Sequence, residues 1–320
     1  MDNLTHSLVG LMMARVSKQN AAMMIVAANL PDIDVVSWLG GTVTYLQYHC
    51  GLTHAFIAAP IMALIPMLLF RSRTWTSYIA CLAAVLSHLL LDWTNIYGIR
   101  LLLPFNSKWL HLDMTDVVDP WILLGLLLAV AAPALSGLVG AEIGAKGNAG
   151  AKKGWAYAAL AFLFLYEGSR LFAHERAISM LTARTWNGKL AQNVTALPNR
   201  WSPFSWRGVI QGASDQGSFV VGAQIALPTD MEEGRTDYSS GPNEAALRTR
   251  PFQVFASFNQ LPFWHAEKQP GGTTEVHLLD LRFGTPETPG FAATAVLDEQ
   301  GKVKESHVSF GKLIRTDPRQ

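Results

Sequence analysis

The chain has 320 residues, of which half are hydrophobic and only 15% are charged, whereas about a quarter of residues are charged in soluble domains. The formal net charge of +1 excludes the basic footprint of a nucleic-acid-binding protein, so no nucleic-acid partner is predicted. Cys50 and Cys81 show neither metal-ligand spacing nor a disulfide framework. The first residues lack a basic region and a cleavage site, so no removable signal peptide is expected. This composition indicates a protein of the membrane.

The N-terminal region contains two short apolar segments, residues 8–14 and 21–30, joined by a polar turn at residues 15–20. Each is shorter than the ~20 residues that a membrane span needs. Pro31 follows the second segment and is expected to stop its helix. The pattern therefore predicts a helical hairpin that enters the membrane part-way.

Four longer apolar segments follow, and tryptophans stand at the ends of several of them, as is typical of membrane interfaces. They are residues 55–70, 75–91, 121–139 and 155–172. These segments predict about four transmembrane spans, membrane lipid as the surrounding partner, and a Gly/Ala/Lys-rich link at residues 140–154 between the last two spans.

Beyond the last apolar segment the chain changes to short alternating runs between Gly/Pro turns, which predicts β-strands. The predicted strands are residues 208–211, 218–221, 252–256, 276–281 and 293–297, with a hairpin turn at residues 298–301. The predicted fold class is an all-α polytopic membrane bundle followed by a smaller β-rich soluble domain. The predicted domains are a membrane-embedded domain at 1–175, a connector at 176–194 and the β-rich domain at 195–320.

The most informative pair of residues is His88 and Asp92, which stand four apart at the end of the second long apolar segment. This spacing places both side chains on one face of a helix, where they can bind one metal ion. Ionisable groups at membrane depth are costly and usually mark a functional site. The alternative is a buried hydrogen-bonded pair without a metal.

Further residues of metal-ligand type stand at the ends of apolar segments. They are His6, Asp32, Asp34, His49 and His54. Because the chain turns back at residues 15–18 and again at residues 71–73, all of these positions fall on the same side of the predicted bundle. Asp119 also lies there, but Asp119 before Pro120 equally suits a helix N-cap.

Imidazole and carboxylate ligands together favour zinc, with manganese or iron as weaker choices. Seven candidates exceed one tetrahedral site, so one or two ions are predicted. Two ions about 4 Å apart activate water in hydrolytic sites, which indicates hydrolysis of a phosphoester. A site at the lipid boundary favours a lipid or lipid-linked substrate.

These motifs, in this order, resemble the YdjM-like family of bacterial inner-membrane-associated proteins described as metal-dependent hydrolases. The resemblance covers residues 1 to about 175 and is carried by Leu4-Thr5-His6-Ser7, Asn29-Leu30-Pro31-Asp32-Ile33-Asp34, His49 to His54, Ser87-His88-Leu89-Leu90-Leu91-Asp92 and Asp119-Pro120-Trp121. Cys50 stands where members of the family often carry arginine.

The resemblance implies that the metal ligands or their immediate partners are His6, Asp32, Asp34, His49, His54, His88 and Asp92. Asp34 and Asp92 are the predicted catalytic residues, because a carboxylate beside the ion can orient the attacking water. The implied activity is that of a metal-dependent hydrolase. A metal or proton transporter and a non-catalytic scaffold with a structural metal are the alternatives.

The basic residues Arg15, Lys18, Arg71 and Arg73 lie opposite the candidate ligands along the predicted path of the chain. By the positive-inside tendency, these turns are cytoplasmic. The site and the β-rich domain are therefore expected on the extracytoplasmic side of the bacterial inner membrane.

Overall fold

The structure is a computed structural model that describes residues 1–142, 149–214 and 217–311. Residues 143–148, in the predicted Gly/Ala/Lys-rich link, lie outside the described residues. The helices in chain order are α1 (Asn3–Ser17), α2 (Ala21–Asn29), a 3₁₀ helix (Leu30–Gly40), α3 (Thr42–Tyr48), a short 3₁₀ helix (Leu52–His54), α4 (Ala59–Leu69), α5 (Trp75–Thr94), α6 (Pro120–Glu142) and α7 (Ala149–Thr182). Two further helices, α8 (Glu244–Leu247) and α9 (Arg250–Phe258), lie among the strands.

The chain divides into two compact units, each made of several segments. The first contains residues 1–34, 50–175 and 198–205, and the second contains residues 35–49, 176–197 and 206–320. Two short strands, β1 (Thr185–Trp186) and β2 (Lys189–Leu190), pair within the predicted connector. The predicted domain limits at residues 175 and 195 stay a prediction.

In the first unit, α1 and α2 pack closely against each other and against α5. Gly10 permits this approach, because a Cβ at this position would lie 2.8 Å from the carbonyl oxygen of Met24. Met12, Met23 and Met24 are fully buried in the resulting core, where their flexible side chains fill irregular space. This packing brings the N-terminal end of α1 and the C-terminal ends of α2 and α5 to the same part of the unit.

Among the described residues, three helices are long and apolar enough to cross a membrane, and up to four if one bent pair forms a single span. They are Ala21–Gly40, Trp75–Thr94 and Pro120–Leu138, and the bent pair is Thr42–His54 with Ala59–Leu69. Large apolar side chains on these helices, such as Leu68, Ile79 and Leu128, are more than half exposed. This exposure suits contact with lipid tails.

The structure differs in detail from three predictions about the helices. Pro31 ends the α-helix but not the helical path, because the chain continues as a 3₁₀ helix to Gly40; α2 and this helix together reach span length. The predicted span at residues 55–70 contains only the 11-residue α4. The predicted span at residues 155–172 lies in α7 but is not among the candidate spans, since Glu167 and Arg170 lower its hydropathy.

The β-rich part of the chain contains two four-stranded antiparallel sheets. The first has the strand order β3 (Asn193–Asn199), β4 (Ser202–Ser214), β5 (Gly217–Ala226) and β6 (Asp230–Tyr238). The second has the order β10 (Val303–Phe310), β9 (Phe291–Leu297), β8 (Thr274–Asp280) and β7 (Pro262–Lys268). Four of the five predicted strands are confirmed in β4, β5, β8 and β9, as is the turn between β9 and β10.

The fifth predicted strand, residues 252–256, was wrong, because this segment lies in α9. Phe252, Phe255 and Phe258 recur every three residues and are all fully buried. This spacing places them on one helical face, which packs against β9 and β10. The ring of Phe252 stacks on Trp264 of β7 at 5.9 Å between ring centroids.

Candidate metal centre

Four side chains of the first unit converge on one point. They are Asp32, His54, His88 and Asp92, whose four donor atoms all lie within 4.8 Å of each other. His88 and Asp92 are one turn apart on α5 and meet at 3.1 Å, between Nε2 and Oδ2. Asp32 follows α2, and His54 ends the short 3₁₀ helix. We call this group the Asp32/His54/His88/Asp92 cluster.

The separations within the cluster match those between the ligands of one tetrahedral ion. The two Nε2 atoms of His54 and His88 are 3.2 Å apart. Nε2 of His54 lies 3.4 Å from Asp32 and 3.6 Å from Asp92, and Nε2 of His88 lies 3.7 Å from Asp32. Ligands at 2.0–2.1 Å from a tetrahedral zinc are separated by roughly 3.3–3.4 Å. The cluster therefore has the dimensions of a metal site.

The tautomer of His88 is set by the backbone. Its Nδ1 lies 2.7 Å from the carbonyl oxygen of Ala28, and because a carbonyl only accepts, Nδ1 carries the hydrogen. Nε2 of a neutral His88 therefore presents its lone pair to the cluster. A hydrogen bond from the second ring nitrogen to a carbonyl is the usual support of a metal-binding histidine.

His54 is oriented in the same way by a side-chain pair. Its Nδ1 lies 3.2 Å from Asp34 Oδ2 and 3.1 Å from Thr53 Oγ1. Thr53 donates its own hydroxyl hydrogen to Asp34 at 2.8 Å, so both neighbours of Nδ1 act as acceptors toward it. The hydrogen of a neutral His54 is then on Nδ1. Two imidazole lone pairs and two carboxylates thus face one point, which is a donor set that suits a divalent cation.

Asp92 has its two oxygens in different surroundings. Oδ2 belongs to the cluster, while Oδ1 contacts the amino group of Met1 and lies 3.4 Å from His6 Nε2. His6 is 1% exposed and its ring stacks on His88 at 3.8 Å. Neither ring nitrogen of His6 makes a hydrogen bond within the described residues. His6 therefore lies beside the four-atom cluster and not within it.

Asp32 is the most exposed member of the cluster. Its side chain is 13% exposed, whereas those of His54 and His88 are fully buried and that of Asp92 is 6% exposed. Asn3, at the start of α1, donates to Asp32 Oδ2 at 3.1 Å. Among the four members, Asp32 therefore has the most contact with solvent.

Two other predicted positions are not members of the four-atom cluster. His49 belongs to the second unit, where its ring stacks on Tyr45 at 4.5 Å; its role as a ligand stays a prediction. Asp119 caps α6, since its Oδ1 accepts hydrogen bonds from the backbone N–H groups of Trp121 and Ile122 at 2.9 and 3.1 Å. Asp119 also accepts a hydrogen bond from Tyr166.

Sequence reasoning missed the residues that hold the ligands in place. Asn3 stands three residues before His6, and Asn95 stands three residues after Asp92, to which it donates at 3.3 Å. Helical spacing would have indicated both, because residues three apart share a face. The carbonyl of Ala28 has no signal in the sequence, since every residue has one.

Replacing Asp34 by alanine is expected to weaken metal binding without abolishing it. Asp34 touches the cluster through His54 Nδ1, and loss of such a supporting carboxylate typically costs roughly 10–100-fold in metal affinity. Chelator competition on the purified protein measures this change. Asp116→Ala is the matched control, because Asp116 pairs with Arg200 at 3.0 Å and lies outside the cluster. Equal affinities of Asp34→Ala and wild type would contradict the orienting role.

Comparison with known proteins supports an assignment to a family. The family model described as YdjM inner membrane protein matches residues 1–177. A curated relative, the uncharacterized protein YfhP of Bacillus subtilis (strain 168), is 30% identical over 112 residues, which cover 33% of this chain and 34% of the relative. The match thus spans about a third of that relative's length. No solved structure matches the chain. Because the family match covers more than half of the chain and contains the whole cluster, this protein belongs to the YdjM family of inner membrane proteins.

Proposed function

We propose that this protein is a metal-dependent hydrolase of the inner membrane that cleaves a phosphoester of a lipid or lipid-linked substrate. The observation that carries the proposal is the buried Asp32/His54/His88/Asp92 cluster, in which two imidazole lone pairs face each other at 3.2 Å. Without a cation or a proton between them, these lone pairs and the two carboxylates would repel one another. A divalent ion balances the two negative charges of the carboxylates.

When bound, a divalent ion supplies Lewis-acid chemistry, which makes water a nucleophile at neutral pH and offsets charge on a phosphoester. The residues of the chain orient the metal ligands and the attacking water. Ala28 and Asp34 hold the two imidazoles with their Nε2 atoms inward. Asp92 joins the cluster to His6 through its two oxygens. In this proposal Asp92 orients the attacking water and His6 receives its proton.

The anionic substrate also needs a positive group near the cluster. Arg100 is the candidate, because its backbone N–H donates to the carbonyl of Cys50 at 3.2 Å and its guanidinium charge interacts favourably with Asp34. The guanidinium lies over the ring of Trp109, 4.9 Å from its centroid. Arg100 thus offers a cation next to Cys50.

A structural metal is the second candidate function, and one specific observation favours it. Four protein donors saturate a tetrahedral ion, as structural sites do, whereas catalytic zinc sites usually have three protein ligands and an open position. The hydrolase proposal therefore requires Asp32, the most exposed member, to give way to water or substrate. If the protein is a hydrolase, the Asp32→Ala variant should still bind the metal, with weaker affinity. If the metal is purely structural, the same variant should lose both the metal and stability.

The first test is elemental analysis of the detergent-purified protein beside His88→Ala and Asp92→Ala. About one or two equivalents of zinc, manganese or iron are expected in the wild type, with loss of the metal bound by the cluster in both variants at unchanged helix content. His111→Ala is the matched control, since His111 pairs with Asp113 at 2.8 Å outside the cluster. Absence of metal after reconstitution with each of the three ions would remove the basis of the proposal.

The second test is turnover. The metal-loaded protein is incubated with phosphoester lipids in mixed micelles, and the released headgroup or phosphate is measured by mass spectrometry. Turnover that disappears with the metal supports the hydrolase. Stoichiometric metal without turnover on monoester and diester lipids, together with unfolding on chelation, would instead favour a structural metal.

A further inference from the structure

Three histidines of the second unit line up across one sheet. His265 on β7 pairs directly with His277 on β8, which pairs with Thr294 on β9, and Thr294 pairs with His307 on β10. Residues that are directly opposite in neighbouring strands point to the same face of the sheet. His265, His277 and His307 therefore form a row along one face, which we call the histidine row.

A row of glutamates runs parallel to the histidine row, two residues along each strand. Glu267 pairs with Glu275, Glu275 pairs with Val296, and Val296 pairs with Glu305. Because side chains two apart in a strand share a face, each histidine has a glutamate beside it on its own strand. The rings of His265 and His277 are stacked at 6.2 Å, and Nε2 of His277 lies 3.5 Å from Glu275 Oε1.

The face that carries these rows is the one turned away from α9. Trp264 precedes His265 and Leu278 follows His277, so both point to the opposite face of the sheet, where they are buried. Trp264 contacts Phe252 of α9 on that opposite face. His265, His307, Glu267 and Glu305 are exposed, while His277 and Glu275 are half-buried. Solvent therefore reaches a surface on which imidazoles and carboxylates alternate.

His277 is prepared for ligation by its neighbours. Its Nδ1 lies 2.9 Å from Thr294 Oγ1, which leaves Nε2 on the side of Glu275. Burial lowers the pKa of His277, an effect reinforced by His265 and His307 and opposed by Glu275 and Glu267. The ring is therefore neutral at pH 7 and offers a lone pair.

We propose that His265 and His277, with Glu275, form a surface binding site for a divalent transition-metal ion such as zinc. Two imidazoles on one tetrahedral zinc have ring centroids roughly 5.2 Å apart, and the rings of His265 and His277 are 6.2 Å apart. Rotation of the exposed His265 side chain brings the two nitrogens onto one ion. Water fills the remaining position. This site is independent of the Asp32/His54/His88/Asp92 cluster and of the proposed hydrolase.

The test is a calorimetric titration of Zn²⁺ into the chelator-stripped full chain in detergent. The wild type is expected to bind one equivalent more than the double variant His265→Ala/His277→Ala. The same difference is expected in a His88→Ala background, because the cluster is a separate site. His111→Ala, which removes a histidine outside the row, is expected to bind as many equivalents as the wild type.

Cu²⁺ supplies a second readout, since nitrogen hyperfine splitting in its electron paramagnetic resonance spectrum reports bound imidazole. The splitting from this site should disappear in His265→Ala, an exposed position whose replacement leaves the fold intact. Thr294→Val should weaken Zn²⁺ binding by roughly tenfold or more by removing the partner of Nδ1. Equal Zn²⁺ stoichiometry and equal Cu²⁺ spectra in the wild type and His265→Ala would overturn the proposal.

Discussion

Asp92→Asn is expected to lower phosphoester turnover by roughly 10²–10⁴-fold, the contribution typical of a positioned acid–base group. The carboxylate of Asp92 has one oxygen 3.1 Å from His88 Nε2 and the other 3.4 Å from His6 Nε2. Asparagine preserves the shape but removes the negative charge that attracts a cation and accepts a proton. Turnover on the substrate found in the lipid screen, measured at saturating metal, gives the magnitude.

Asp113→Asn is the matched control for this variant. Asp113 also pairs with a histidine, His111, at 2.8 Å, and its φ of 53° is a backbone conformation that asparagine tolerates well. Folding and turnover should therefore be those of the wild type. An Asp92→Asn protein that binds metal and retains full turnover would exclude Asp92 from the chemistry.

The core of the candidate site could be predicted because its residues obey simple local rules. His88 and Asp92 share a helical face through their spacing of four, and the structure places them 3.1 Å apart. Asp32 and His54 could be added because the chain's reversals return both to the same end of the helices. Such reasoning predicts which residues lie at the same end of the helices but not the distances between their atoms. It therefore could not show that His6 lies beside the four-atom cluster and is not one of its members.

The support of the site could not be predicted in the same way. The hydrogen bond from His88 to the carbonyl of Ala28 joins residues that are 60 positions apart in sequence. It depends on how closely α2 and α5 pack against each other. Close packing of α1 on α2 in turn depends on Gly10. Contacts of this kind arise from tertiary structure, for which one sequence offers no local signal.

The errors in the fold have physical causes as well. In the segment around Phe255, bulky apolar residues at high β-propensity suggested a strand, but burial of Phe252, Phe255 and Phe258 on one face selects a helix. After Pro31 the chain keeps a tighter helix, because the 3₁₀ form continues where the α-helical hydrogen bond is lost. Tertiary packing decided both outcomes.

The second large effect concerns the stability of the β-rich unit. Arg282 and Asp280 form an ion pair whose side chains are both fully buried, with Nη2 2.7 Å from Oδ2. Arg282 also donates to the carbonyl of Phe258 at 3.0 Å and lies over its ring at 4.6 Å. Arg282→Met fills similar space but leaves the carboxylate of Asp280 buried without this partner. The expected loss is about 3–5 kcal/mol in the free energy of unfolding.

A loss of that size lowers the melting temperature of a unit of this length by roughly 6–20 °C, which circular dichroism of the purified full chain measures. Arg235→Met is the matched control: Arg235 pairs with Asp237 at 2.9 Å, but its side chain is 72% exposed, so its loss should cost less than about 1 kcal/mol. Adding Asp280→Asn to Arg282→Met should recover part of the stability, because the buried charge is removed while an acceptor remains for the backbone N–H of Arg282. Equal melting temperatures for the two arginine variants would show that the buried pair contributes no more than a surface pair.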